Sequence, residues 1–276
     1  NKTRKLEFLV AEAREQGAQM LITTGALQSN HCRQTAAAAA RFGMACTLVL
    51  VGQPPEQATA NLLLDHLFNA EIIWVARKEE RDATLQDAFE TARKEGRRPY
   101  LVPYGGSSPT GAAAYAYAIE ELLAQGEPPD WIVFASSSGG TQAGMVVGAR
   151  LFGYRGRILG ISVDEPQDVL QERVARLASE TAARLGEDIR FRPDDVLVNA
   201  DYCTPGYGVL TDAEREAIHL FAQTEGLLLD PVYTGRAAAG LIDLVRKGFF
   251  KKGERVLFWH TGGTPGLFAD RYAPAL

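Results

Sequence analysis

Short runs rich in Val, Ile and Leu alternate along the chain with longer stretches in which apolar residues recur every three or four positions. The first pattern predicts strands and the second amphipathic helices. Strands are expected at residues 20–24, 46–51, 71–76, 99–103, 131–135, 158–163, 196–199 and 256–260. Helices are expected at 6–16, 30–42, 56–67, 84–95, 110–125, 141–152, 167–185, 212–225 and 235–247. The strand segments are apolar throughout rather than alternating, which suits parallel sheet covered on both faces. The intervening stretches are long enough for the crossover connections that parallel pairing requires. The expected class is therefore α/β, with open, mostly parallel sheets and helices on both faces.

Punctuation and composition refine this picture. Gly105-Gly106-Ser107-Ser108-Pro109 and Gly126-Glu127-Pro128-Pro129-Asp130 are breakers ahead of a helix and a strand. Five alanines at 36–40, beside Arg33, Gln34 and Arg41, read as the close-packing face of a helix with its polar face outward. With 276 residues, 46% of them hydrophobic, the chain can fill one large domain or two modest ones. A net charge of −5 leaves no positive footprint, so neither nucleic acid nor an anionic membrane surface is an expected partner. No apolar run approaches the roughly 20 residues that span a bilayer. Cys32, Cys46 and Cys203 are odd in number, widely spaced and without a CxxC pair, so no disulfide framework and no metal site are expected. A reduced, cytoplasmic protein fits that usage.

In open α/β sheets ligands sit beyond the carboxyl ends of strands, and four strand-to-helix junctions here are unusually polar. Ser136-Ser137-Ser138-Gly139-Gly140-Thr141 combines glycines, hydroxyls and a helix N-terminus, which suits a phosphate; an ordinary N-capped turn is the plainer alternative. Gln28-Ser29-Asn30-His31 places hydrogen-bonding groups at another helix start, which suits a carboxylate, although Ser29 or Asn30 could serve only as a cap. Asp230-Pro231-Val232-Tyr233-Thr234-Gly235 and His260-Thr261-Gly262-Gly263 are the remaining two. A serine hydrolase is disfavoured, since there is no GxSxG elbow and the four histidines leave few bases.

These motifs, taken with Asn1-Lys2-Thr3-Arg4-Lys5-Leu6-Glu7 and Pro205-Gly206-Tyr207-Gly208, resemble the fold-type-II pyridoxal-phosphate enzymes. More narrowly, the chain resembles the group that holds D-cysteine desulfhydrases, 1-aminocyclopropane-1-carboxylate deaminases and L-cysteate sulfo-lyases. The match runs through the whole chain in order. It implies a two-domain architecture of the tryptophan synthase β kind, with a smaller domain at about 3–113 and a larger one at 114–276. It also implies that a further N-terminal part of the larger domain precedes Asn1. By the resemblance, Lys2 would carry pyridoxal 5′-phosphate and act as base at the substrate α-carbon. Asn30 would bond the cofactor's ring hydroxyl oxygen, and Ser138, Gly139, Gly140 and Thr141 would hold its phosphate. Gln28, Ser29, Asn30 and His31 would meet the substrate, Ser29 also with a catalytic part, and Tyr207 and Tyr233 would flank the reacting carbons. Thr234 would lie near the pyridine nitrogen, where deaminase-type members are expected to carry glutamate. A neutral residue there gives a shallower electron sink, enough for loss of a good leaving group from the β-carbon. The implied reaction is α,β-elimination of D-cysteine to pyruvate, ammonia and hydrogen sulfide, in a cytoplasmic homodimer whose partner is a small amino acid. Sulfo-lyase, deaminase and a non-catalytic amino-acid- or cofactor-binding relative remain the alternatives.

Overall fold

The computed structural model describes residues 1–276. Its strands are β1 (Met20–Ala26), β2 (Ala45–Val51), β3 (Glu71–Val75), β4 (Pro99–Leu101), β5 (Trp131–Ser136), β6 (Arg157–Ser162), β7 (Leu197–Asn199) and β8 (Val256–Phe258). Its α-helices are α1 (Lys2–Glu15), α2 (Asn30–Arg41), α3 (Ala60–Leu67), α4 (Arg81–Lys94), α5 (Pro109–Ala124), α6 (Gly140–Phe152), α7 (Gln167–Arg184), α8 (Asp212–Glu225) and α9 (Thr234–Arg246). The chain folds as two compact units. The smaller comprises Lys2–Ser107 and Phe268–Asp270; the larger comprises Asn1, Ser108–Leu267 and Arg271–Leu276. A division after residue 113 would cut α5 near its start. That helix begins as one piece at Pro109, where Ser108 Oγ accepts from the Gly111 N–H, so the division falls ahead of it.

In the smaller unit the sheet order is β3-β2-β1-β4, and every pairing is parallel. β1 is central and buried from Met20 to Gly25. Its alternate side chains feed two cores. Leu21 joins Leu48 and Leu50 of β2, Leu6 and Leu9 of α1, and Ala36 and Ala39 of the alanine run. Met20 and Ile22 join Leu85, Phe89 and Ala92 of α4. Helix α3 begins at Ala60, four residues later than expected. The preceding stretch carries Pro54 and Pro55, and the amide that opens the helix is capped from outside: Gln28 Oε1 accepts from the Asn61 N–H at 2.9 Å.

The larger unit has the sheet order β7-β6-β5-β8, again all parallel. Ile132 and Phe134 of β5 pack with Tyr115, Ile119, Val147 and Val174, whereas Trp131 and Val133 pack with Ala237 and Leu244 of α9. Helices α5 and α6 touch backbone to backbone. A Cβ on Gly144 would stand 2.0 Å from the Ala112 carbonyl oxygen, so only glycine permits this approach. The strands β1, β5 and β8 lead at their carboxyl ends into three of the polar junctions marked in the sequence; the fourth, at 230–235, follows irregular chain after α8 and not the expected strand. No helix is long and apolar enough to cross a membrane. No group of three or more His, Cys, Asp or Glu is placed to hold a metal ion.

Candidate active site

Lys2 opens α1, and its Nζ donates to the Gly105 carbonyl at 3.1 Å. Lys5, one turn on, donates to the same carbonyl at 3.2 Å and to Ser107 Oγ at 3.2 Å. The two amines therefore share one acceptor, and no carboxylate pairs with either. Burial lowers the Lys2 pKa to about 8, with a smaller opposing effect from Cys32. Burial, and then the Lys2 charge, push Lys5 well below the ordinary lysine range. Lys5 is only 1% exposed and was not singled out from the sequence. The signal was its position: it falls on the face of α1 that carries Leu6, Leu9, Val10 and Ala13, where a lysine must be buried.

The junction between β1 and α2 is built on capping. Ser29 Oγ accepts from the Cys32 N–H at 3.2 Å, which leaves its hydroxyl hydrogen for a ligand. Gln28 and His31 are both engaged within the fold. Gln28 is committed at both ends of its amide, Nε2 donating to the Thr59 carbonyl at 3.1 Å and Oε1 accepting from Asn61. It braces two loops through one Nε2 hydrogen and Oε1, and keeps a second Nε2 hydrogen. His31 is 4% exposed, and its Nε2 lies 2.8 Å from Thr23 Oγ1. The single hydroxyl hydrogen of Thr23 goes to the Val102 carbonyl at 2.8 Å, so Nε2 carries the imidazole hydrogen and Thr23 accepts it. Nδ1 is then a bare lone pair, buried without a partner. Burial, then Lys2 and Lys5, oppose a second proton on the ring. His31 thus has no N–H to offer a carboxylate. Cys32 is a bystander, its thiol held protonated by burial.

Asn30 is oriented by Asn61, a fully buried residue of α3. Asn61 Nδ2 donates to Asn30 Oδ1 at 2.9 Å and to the Gln28 carbonyl at 3.0 Å, while its Oδ1 accepts from Arg33 Nε at 3.1 Å. The Asn30 amide therefore presents its N–H₂ end away from Asn61. Ala60, beside it, holds φ of +50°, a left-handed backbone that costs a residue with a Cβ about 1–2 kcal/mol.

In the larger unit, Gly139 takes φ of +85° at the N-cap of α6 and supplies no capping side chain. The first turn of α6 thus starts on two glycines, with the positive end of its helix dipole bordered by half-buried Ser138 and buried Thr141. Asn1 ties this loop to the last junction. Its backbone nitrogen donates to the Thr261 carbonyl at 2.9 Å and its Nδ2 to Thr141 Oγ1 at 3.3 Å. Also in this unit, Tyr207 and Tyr233 meet edge to face, with their hydroxyl oxygens 2.6 Å apart. The Tyr207 loop is clamped by Arg236, which is 1% exposed and donates to the carbonyls of Val163, Gly206 and Val209, each at 2.8 Å. Arg236 also donates to Glu214 at 2.7 Å. Burial pushes the Glu214 carboxyl up, but hydrogen bonds from Thr211 and Arg236 outweigh it and hold it below its ordinary value.

Thr234 spends its hydroxyl within the fold. It is fully buried, its hydroxyl hydrogen goes to Asp230 Oδ1 at 2.8 Å, and its oxygen accepts from the Asp230 N–H at 2.7 Å. Asp230 also collects the N–H groups of Val232, Tyr233 and Thr234. The hydroxyl closes the turn that starts α9 and has no hydrogen left for a ring nitrogen.

A buried amine with a depressed pKa, an amide donor and a glycine-lined helix N-terminus are the parts that an aldehyde-bearing phosphate ester requires. Residues 1–262 match the family model described as pyridoxal-phosphate-dependent enzymes, and the chain belongs to that family. Its cofactor is pyridoxal 5′-phosphate. Among curated relatives, D-cysteine desulfhydrase of Salmonella typhi is 43% identical over 98% of this chain and 84% of its own length. Among solved structures, an ACC deaminase homologue superposes with a TM-score of 0.88 at 39% identity, covering 97% of this chain and 81% of that one. A T.th. threonine deaminase, with a TM-score of 0.61, 19% identity and coverage of 93% and 80%, shares the fold.

Proposed function

We propose that the chain is a lyase that converts D-cysteine and water to pyruvate, ammonia and hydrogen sulfide through α,β-elimination. The observation that carries this reading is the Lys2 amine: without a carboxylate partner and with a pKa lowered by burial to about 8, in a chain 43% identical to a D-cysteine desulfhydrase over 98% of its length. Such an amine is about one-tenth unprotonated at pH 7 and half unprotonated at its pKa, far more than an ordinary lysine, and its free base can take a proton from carbon. When bound, pyridoxal phosphate supplies the electron sink that stabilises negative charge at the substrate α-carbon.

The chain's own residues do the rest. Lys2 would hold the cofactor, and its free Nζ lone pair would take the α-proton of the substrate. The Gly105 carbonyl accepts a hydrogen bond from the ammonium so formed. The Gly139–Gly140 turn and Thr141 bind the phosphate, with Ser138 beside them. The Asn30 amide donates to the ring hydroxyl oxygen. The Ser29 hydroxyl and the second Nε2 hydrogen of Gln28 donate to the substrate carboxylate, a role for which His31 has no N–H to spare. Tyr207 and Tyr233, joined through their hydroxyls, serve the departing sulfur, one Oη giving a proton while drawing on the other. Thr234 brings no charge to the ring, which favours loss of sulfide over opening of a cyclopropane. A cytoplasmic homodimer completes the proposal, and light scattering on the purified protein tests the dimer.

The test is a product assay of the enzyme loaded with pyridoxal phosphate, with Lys2→Ala as control. Sulfide and pyruvate from D-cysteine, abolished in the variant, are the expected result. Sulfite from L-cysteate, or 2-oxobutanoate from 1-aminocyclopropane-1-carboxylate, as the faster product would replace this substrate assignment.

A further inference from the structure

The orientation of the Asn30 amide is dictated by groups that cannot turn over. A guanidinium can only donate, so the atom of Asn61 that meets Arg33 Nε is the carbonyl oxygen. A backbone carbonyl can only accept, so the atom of Asn61 that meets the Gln28 oxygen is the amide nitrogen. That nitrogen is also the one facing Asn30, and Asn30 must answer with Oδ1. The Asn61 side chain therefore makes three hydrogen bonds, each with a forced polarity. A fourth bond, from its backbone N–H to Gln28 Oε1, holds the residue in place at the start of α3. The left-handed Ala60 immediately before it is the one residue of that helix in such a conformation, and it turns the chain into this position. Asn61 itself is fully buried.

We propose that Asn61 is a positioning residue that selects which end of the Asn30 amide faces the cofactor, making that position a donor and so a seat for an oxyanion. The proposal rests on the reading of Asn30 as the partner of the ring hydroxyl oxygen. Reversing Asn61 reverses the seat. In Asn61→Asp the side chain can only accept: one carboxylate oxygen keeps Arg33, and the other takes the hydrogen of Asn30 Nδ2. The Asn30 amide then turns over and offers its carbonyl oxygen outward, against an oxygen that carries negative charge.

The probe is 4′-deoxypyridoxine phosphate, a cofactor analogue without the aldehyde, so its affinity reports the ring and phosphate contacts and not the capture by Lys2. Its dissociation constant is measured for wild type, Asn61→Asp, Asn30→Ala and the double variant, with melting curves on each. Losing a hydrogen bond to a charged group weakens binding by about tenfold or more. Asn61→Asp and Asn30→Ala are each expected to show that loss, and Asn61→Asp is expected to add little once Asn30 is alanine. Asn61→Ser, which gives up the bond to Asn30 without adding charge, is expected to fall between wild type and Asn61→Asp and stands in if the aspartate variant does not fold. In the holoenzyme, the pH midpoint of the cofactor's visible band is expected to shift in Asn61→Asp but not when Asn30 is already alanine. If Asn61→Asp weakens the analogue equally in both backgrounds, its effect is that of an added charge or a loosened fold, and the positioning role is overturned. If Asn30→Ala alone leaves the analogue's affinity unchanged, the reading of Asn30 fails and takes the proposal with it.

Discussion

Replacing Asp65 with asparagine removes a carboxyl group that the smaller unit buries without a partner. Asp65 lies on α3, fully shielded from solvent, and neither carboxylate oxygen has a hydrogen bond. Burial raises its pKa to about 8, against the attraction of the Arg33 guanidinium. Cys32 and Cys46 are the titratable groups nearest in effect, and burial keeps both thiols protonated. In the unfolded chain the same carboxyl ionises near its ordinary value of 3.8. The folded value is the higher of the two, so the folded state keeps a proton that the unfolded state has lost. The stability due to this group is full below about pH 4, falls as pH rises, and is lost above about pH 8. Each pH unit in that window is worth about 1.4 kcal/mol, so the span from about pH 5 to about pH 7 is worth nearly 3 kcal/mol. Asparagine has no such slope. Urea unfolding of wild type and Asp65→Asn across that range is the assay. The variant is expected to gain on wild type by about 1.4 kcal/mol per pH unit. Parallel stability profiles would refute the buried, protonated carboxyl.

Other outcomes follow from the site. With an amine pKa near 8, the capture of added pyridoxal phosphate by Lys2 is expected to quicken about fivefold from pH ~7 to pH ~8 and to level off above pH ~9; stopped-flow absorbance checks this, and a rate still climbing tenfold per unit beyond pH ~9 contradicts it. Thr234→Val keeps the shape but strips Asp230 of one donor and its own N–H of an acceptor, a cost of about 1–3 kcal/mol in denaturant unfolding. Arg236→Met leaves Glu214 charged in a buried site, with an expected loss of about 3–5 kcal/mol. Arg236→Met melting like wild type would mean that Arg236 does not clamp the Tyr207 loop.

The strands and helices were legible because burial on both faces leaves a simple mark: runs such as Leu21-Ile22 and Ile132-Val133-Phe134 carry no polar side chain that needs water. The turn into α6 was legible for a similar reason, since two glycines ahead of a helix already describe a left-handed N-cap. What escaped were polarities. Thr234 was found by its motif, but the destination of its single hydrogen depends on Asp230, whose carboxylate collects the whole turn. His31 was placed at the right junction. Its tautomer, however, is written in Thr23 and the Val102 carbonyl, one on β1 and the other just after β4. Asn61 lies 31 positions from Asn30 in an unremarkable stretch, and only the fold brings the two amides together. Composition and spacing locate donors and acceptors; which of them is still available is settled by tertiary contacts.

That distinction bears most on Lys2. From sequence it is one of 29 basic residues, and its chemistry depends on what surrounds the amine. Three nitrogen bases influence one another here: Lys2, Lys5 and His31. They face a carbonyl, a hydroxyl and no carboxylate. A dry site with no counter-charge cannot hold several positive charges, because like charges in a low dielectric repel strongly. Burial therefore keeps His31 neutral, presses Lys5 far below its ordinary pKa, and leaves Lys2, the less depressed of the two amines, to gain and lose the proton within reach of neutral pH. A glutamate placed beside Lys5 would stabilise the fold's charges and disable this arrangement, since it would hold a proton on the amines that catalysis needs bare. The unpaired amines are thus a stability cost that falls on the residue whose reactivity depends on it.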